Sequence, residues 1–80
     1  MTTQGHDSSA ALVKMANDIA DYFHSEPDRG LAVDGVVSHI TRFWEPRMRR
    51  KIVAHYAEHD GAGLNELARA AIARLAQASA

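Results

Sequence analysis

Arg42-Phe43-Trp44-Glu45-Pro46-Arg47-Met48-Arg49-Arg50-Lys51, RFWEPRMRRK, decides how this chain folds, because one helical pattern runs into Pro46 and another leaves it. Proline has no amide proton, and its ring disfavours helical conformation in the residue before it, so a helix arriving at Glu45 must stop. In the first turn of the next helix the missing proton costs nothing, since no intrahelical acceptor awaits it there. The connection is therefore almost absent. Glu45-Pro46 is expected to act as a corner at which two helices meet steeply and do not lie back as a hairpin. The same ten positions hold five of the nine basic residues of the chain and the adjacent aromatics Phe43 and Trp44.

Outward from the corner the apolar spacing is helical almost throughout. Upstream, Val33, Val36, Val37, Ile40, Phe43 and Trp44 form a stripe. Their β-branched members suggest a strand, but the three-to-four spacing and the length favour a helix over 31–44. Downstream, Met48, Ile52, Val53 and Tyr56 predict a helix over 47–59, ended by Asp60-Gly61-Ala62-Gly63, where a glycine suits the left-handed cap. Leu64, Leu67, Ala68, Ala71, Ile72 and Leu75 give the cleanest stripe, a helix over 65–77 with Asn65 as its N-cap. Nearer the start, Leu12, Met15, Ala16, Ile19 and Phe23 predict a helix over 9–24, capped by Ser8 or Ser9. His24-Ser25-Glu26-Pro27-Asp28 reads as a turn. The expected fold is an all-α bundle of four short helices: a single domain over 9–77, with flexible ends at 1–8 and 78–80.

Eighty residues with 46% hydrophobic and 24% charged side chains make one globular domain with a small core. A chain of this mass buries roughly 60% of its unfolded surface, so size alone favours a stabilising partner or self-association of the isolated chain. There is no cysteine, which excludes disulfides, cysteine zinc sites and cysteine-ligated iron–sulfur clusters within this chain. No apolar run approaches membrane-spanning length, and the polar beginning does not resemble a signal peptide, so a cytoplasmic protein without a membrane partner is expected. The net charge of −1 conceals an asymmetry: residues 1–40 carry two basic and six acidic side chains, residues 41–80 seven and four.

The residues offer little catalytic chemistry. His55-Tyr56-Ala57-Glu58-His59 has the H-x-x-E-H spacing of inverted zinc peptidases, and histidines four apart share a helix face. A catalytic zinc also needs a third protein ligand, a cleft and outer supporting groups, which a chain this short scarcely supplies. The plainer reading is a surface histidine near a helix C-terminus, where the dipole favours it. Gly30 and Gly35 do not form a phosphate loop, since no Lys-Ser or Lys-Thr follows them. No catalytic, metal or cofactor residue is therefore expected here. The basic patch is the remaining candidate. Arginines beside a tryptophan match the residue types of protein interface hot spots, which makes Trp44, Arg47, Arg49 and Arg50 the candidate partner interface. As cations at a helix start they oppose its dipole, so something acidic is expected to offset them. A solvated first turn and a nucleic-acid contact are the competing readings of the patch. The acidic overall charge and the missing helix-turn-helix linker weigh against nucleic acid. Trp44 continues the stripe Val33, Val37, Ile40 and so reads first as core; Phe43 and Trp44 stand about 100° apart around the helix, so one of the two is free to reach the surface at the corner.

Three segments, LVKMANDIADYF (12–23), RFWEPRMRRKIVAH (42–55) and GAGLNELARAAIARL (61–75), resemble in order and separation the delta subunit of bacterial NAD-dependent formate dehydrogenase. The resemblance implies a place in a soluble, molybdenum-containing, cytoplasmic complex that oxidises formate to carbon dioxide and reduces NAD. It also implies that molybdenum pterin, iron–sulfur clusters, FMN and NAD sit in larger subunits, which are then the partners of this chain. It carries no catalytic residue onto these positions. The function expected is a non-catalytic accessory subunit that assists assembly or stability of the complex. The alternative is a free-standing helical regulator or nucleic-acid-binding domain using residues 42–51.

Overall fold

The computed structural model describes residues 8–79, which form four helices: α1 (Ser8–Phe23), α2 (Arg29–Phe43), α3 (Pro46–His59) and α4 (Glu66–Ser79). There is no strand among the described residues, and the all-α expectation holds. Of the expected flexible segment 1–8, residues 1–7 lie outside the described residues, and Ser8 is the first residue of α1. At the other end α4 runs on to Ser79.

Each boundary has a local cause. Pro27 closes the turn after α1, and Asp28 then accepts the amide of Leu31 at 3.1 Å, so α2 begins at Arg29, two residues earlier than its apolar stripe suggests. At the corner, Trp44 (ψ 141°) and Glu45 (ψ 152°) are both extended, and Pro46 opens α3 as its first residue. Two extended residues turn the chain sharply: α2 and α3, though consecutive, scarcely pack on each other, while α4 packs against all three other helices. The left-handed cap of α3 is Asp60 (φ 57°), where a glycine was expected; Gly61 (φ 69°) follows in the same region. Aspartate tolerates this conformation better than most side chains. Here Arg69 holds it, donating to the Asp60 carbonyl at 2.7 Å and to its carboxylate at 3.3 Å. Asn65 caps α4 as expected, accepting the amide of Ala68 at 2.8 Å.

The core is built around Ile40, Ile52 and Ile72, which are fully buried, with Val33, Val36 and Trp44 from α2 and Leu64, Ala68, Ala71 and Leu75 from the α4 side. On α1 the inward residues are Leu12, Ala16 and Ala20. This face is rotated from the predicted stripe, because the alanines let the neighbouring helices approach closely, and Met15, Ile19 and Phe23 move to the edge. Asn17 then fastens α1 to the α3–α4 loop: its Nδ2 donates to the Gly63 carbonyl at 3.0 Å, and its Oδ1 accepts the Asn65 amide at 2.8 Å. The acidic and basic halves of the sequence meet in the ion pairs Asp34–Arg74 and Arg29–Glu66, both on the surface. Such exposed pairs contribute at most about 1 kcal/mol each.

Candidate functional site

The corner places the four candidate interface residues in two different environments. Trp44 is only 5% exposed and belongs to the core, in keeping with its place on the α2 stripe. It therefore presents no free edge to a partner in this structure, and Phe43, 69% exposed, is the aromatic that faces outward. Arg49 also turns inward. Its Nη1 donates to the Trp44 carbonyl at 2.6 Å and to the Thr41 carbonyl at 3.3 Å. Those carbonyls belong to the C-terminal end of α2, whose last acceptors have no helical partner and carry the negative end of the dipole. The counter-charge expected for this arginine is thus a helix terminus of the same chain and not a carboxylate. Arg47 and Arg50 differ: both are exposed, and among the described residues neither meets an acidic side chain. Arg42, in the last turn of α2, is likewise exposed and stands near its favourable dipole end.

Arg50 borders a shallow groove of about 440 Å³ between α3 and α4, with Val53, Ala57 and Leu75 on its apolar lining. A second groove, of about 410 Å³, lies between α1 and α2 among Asp18, Ile19, Tyr22, Phe23 and His39. Near the turn after α1 a more polar hollow of about 340 Å³ involves Asp21, His24, Arg29 and Glu66. Its charges answer one another within the chain: Arg29 pairs with Glu66 at 3.5 Å, and Asp21 receives Asn65 Nδ2 at 3.4 Å.

The H-x-x-E-H histidines lie on one face of α3, their ring centroids 5.5 Å apart. His55 Nε2 lies 2.8 Å from the Ala62 carbonyl. A carbonyl oxygen only accepts, so that nitrogen must carry its proton and donate. His55 is thereby engaged in holding the loop after α3. Among the described residues no three histidine or acidic side chains come together in a metal-holding group, and none of the buried residues is polar or charged. No described helix is long and apolar enough to cross a membrane.

Two features escape the sequence pattern, whereas the single helical step between Phe43 and Trp44 already signals that one of them faces out. Tyr22, 79% exposed, stands outside the apolar stripe altogether. Asn17 reaches a loop 46 residues away, a contact that no local pattern reports.

Comparison with known proteins found no match among curated proteins and none among solved structures. A family model does match, over residues 11–72, which takes in all of α2 and α3, most of α1 and half of α4. By that match, which spans more than three quarters of its 80 residues, the chain belongs to the FdsD family, the delta subunit of NADH-dependent formate dehydrogenase.

Proposed function

We propose that this chain is a non-catalytic accessory subunit that docks on an acidic surface of a larger formate dehydrogenase subunit through the arginine corner after α2, and so assists assembly or stability of the complex. The observation that carries the reading is the pair Arg47 and Arg50, exposed at the start of α3 and in no ion pair among the described residues. Cations at that end of a helix are disfavoured by its dipole, and a carboxylate supplied by a partner offsets the cost. Arginine suits this role, because its planar guanidinium grips a carboxylate through two parallel hydrogen bonds. Trp44 and Arg49 serve the same surface from within: the first anchors the corner in the core, and the second ties α3 to the end of α2.

In this reading the molybdenum pterin, iron–sulfur clusters, FMN and NAD belong to the larger subunits in the cytoplasm. A chain with no cysteine holds no cysteine-ligated cluster. The test is the double variant Arg47→Glu/Arg50→Glu, expressed with the larger subunits in the native host. It is expected to keep the helix content of the isolated chain, to disappear from the purified complex, and to lower the yield of active enzyme. Normal incorporation with unchanged formate-dependent NAD reduction refutes the docking role of the corner.

A further inference from the structure

The sequence contains the dipeptide Asp-Gly twice, as Asp34-Gly35 and as Asp60-Gly61. Asp-Gly is open to a spontaneous change of its own backbone, because glycine has no side chain to shield its amide nitrogen from the aspartate Cγ. In that step the glycine nitrogen bonds to Cγ, the bond from Cγ to one carboxyl oxygen breaks, and water leaves with the carboxyl and amide protons. The product is a five-membered succinimide. Water then adds to one of the two ring carbonyls. Addition at the main-chain carbonyl reopens the ring so that the chain runs through Cγ, which is an isoaspartate. Water is the only other reactant, and the net mass is unchanged.

The fold separates two positions that the sequence makes equal. Asp34-Gly35 lies inside α2, where the Gly35 amide belongs to the helical ladder and the neighbours Val33 and Val36 are buried. The Phe23 ring covers Gly35 as well, since a Cβ there would stand 2.5 Å from it. Ring closure at Asp34 therefore requires the middle of α2 to come apart. Asp60-Gly61 lies instead in the turn after α3. The Asp60 side chain is 90% exposed, and both residues are left-handed, at φ 57° and 69°. Gly61 is buried, yet among the described residues its amide donates to no acceptor. An unpaired buried amide costs free energy, which hydration recovers when the turn opens. Local opening is accordingly easier here than within α2.

In the closed turn the reaction is held off. With ψ at 30°, the Asp60 side chain lies on the side of its own carbonyl oxygen, and the Gly61 nitrogen points the other way. Arg69 fixes this arrangement: its Nη1 donates to that carbonyl at 2.7 Å and to the carboxylate at 3.3 Å. Attack needs rotation about the Asp60 Cα–C bond, and that rotation breaks the Arg69 grip. We infer that Asp60 is a modification site of this chain, an isoaspartate-forming position that reacts from the locally opened turn and that Arg69 guards. The change bears on the fold because it inserts a methylene into the main chain between α3 and α4. That loop is the one to which His55 and Asn17 are bonded, through the Ala62 and Gly63 carbonyls. The modified chain is the less stable form.

The test incubates the full chain at mildly acidic pH, at a temperature where circular dichroism shows it fully helical, beside a sample unfolded in guanidinium chloride. Electron-transfer mass spectrometry of the proteolytic peptides then distinguishes isoaspartate from aspartate at each position. In the unfolded sample both dipeptides are expected to isomerise at similar rates. In the folded chain Asp60 is expected to react about tenfold or more faster than Asp34, since opening the middle of α2 forfeits several bonds and buried contacts. Arg69→Gln removes charge-assisted bonds at an exposed site, so it should raise the Asp60 rate roughly threefold to tenfold and leave Asp34 unchanged. Equal rates at the two positions in the folded chain overturn the inference, as does an Asp60 that stays unmodified while the unfolded sample reacts. An increase in Arg69→Gln that Asp34 shares equally reports loss of the whole fold and overturns the guarding role, as does no increase at all.

Discussion

Arg49 offers a sharp test of how the corner is held, because its neighbours in sequence carry the same charge and stand in different surroundings. Replacing Arg49 by Gln removes a cation from the C-terminal end of α2 and the donor that reaches the Trp44 carbonyl at 2.6 Å and the Thr41 carbonyl at 3.3 Å. A hydrogen bond from a charged group contributes about 1.5–3 kcal/mol. The side chain is only partly buried and its second bond is long, so the lower end of that range, about 1.5 kcal/mol, is the expected loss. For a domain of this size, that corresponds to a fall in Tm of roughly 6–12 °C. Arg47→Gln and Arg50→Gln remove exposed cations from the unfavourable end of α3 and should change stability by no more than about 0.5 kcal/mol. Urea denaturation of the three variants, followed by circular dichroism at 222 nm, reads the difference directly as a shift of midpoint. Equal stability of Arg49→Gln and Arg47→Gln would refute the claim that Arg49 braces the corner, and with it the division of the patch into an inner and an outer part.

Asn17→Ala deletes both bonds that pin the α3–α4 loop to α1 and is expected to cost about 1–3 kcal/mol; the same urea midpoint reads it, and an effect below about 0.5 kcal/mol contradicts the clamp. The isolated chain is expected to be weakly stable or to self-associate, since a core of this size must offset the ordering of a whole domain. A monomer by sedimentation equilibrium with a Tm above roughly 80 °C contradicts that. His55→Ala/His59→Ala should leave the zinc content of the purified chain and formate oxidation by the complex unchanged; one zinc per chain, lost in the variant, would restore the metal reading of the H-x-x-E-H spacing.

The helices were legible because their causes are local. Stripes at three-to-four spacing, Pro46 at a first turn and Asn65 ahead of Glu66 each act within a few residues, and each is found where the pattern puts it. The departures have causes that are not local. The inward face of α1 is set by how closely its alanines let α2 and α4 approach, so the stripe through Met15, Ile19 and Phe23 points to the edge of the bundle and not to its centre. Asp60 takes the left-handed cap because Arg69, nine residues on, grips its carbonyl and carboxylate. The arginine patch reads in sequence as one cluster of like charges. Folding divides it, since the corner brings the end of α2 within reach of Arg49 and leaves Arg47 and Arg50 in solvent. The aromatic pair divides in the same way, Trp44 inward and Phe43 outward.

The most direct measurement of the central claim is to tag this chain in its native host, purify it at physiological salt, and determine the composition and activity of what elutes. The account predicts that the larger formate dehydrogenase subunits elute with the tagged chain and that the eluate reduces NAD when given formate. A chain that elutes alone, while formate dehydrogenase activity remains entirely in the unbound fraction, contradicts it.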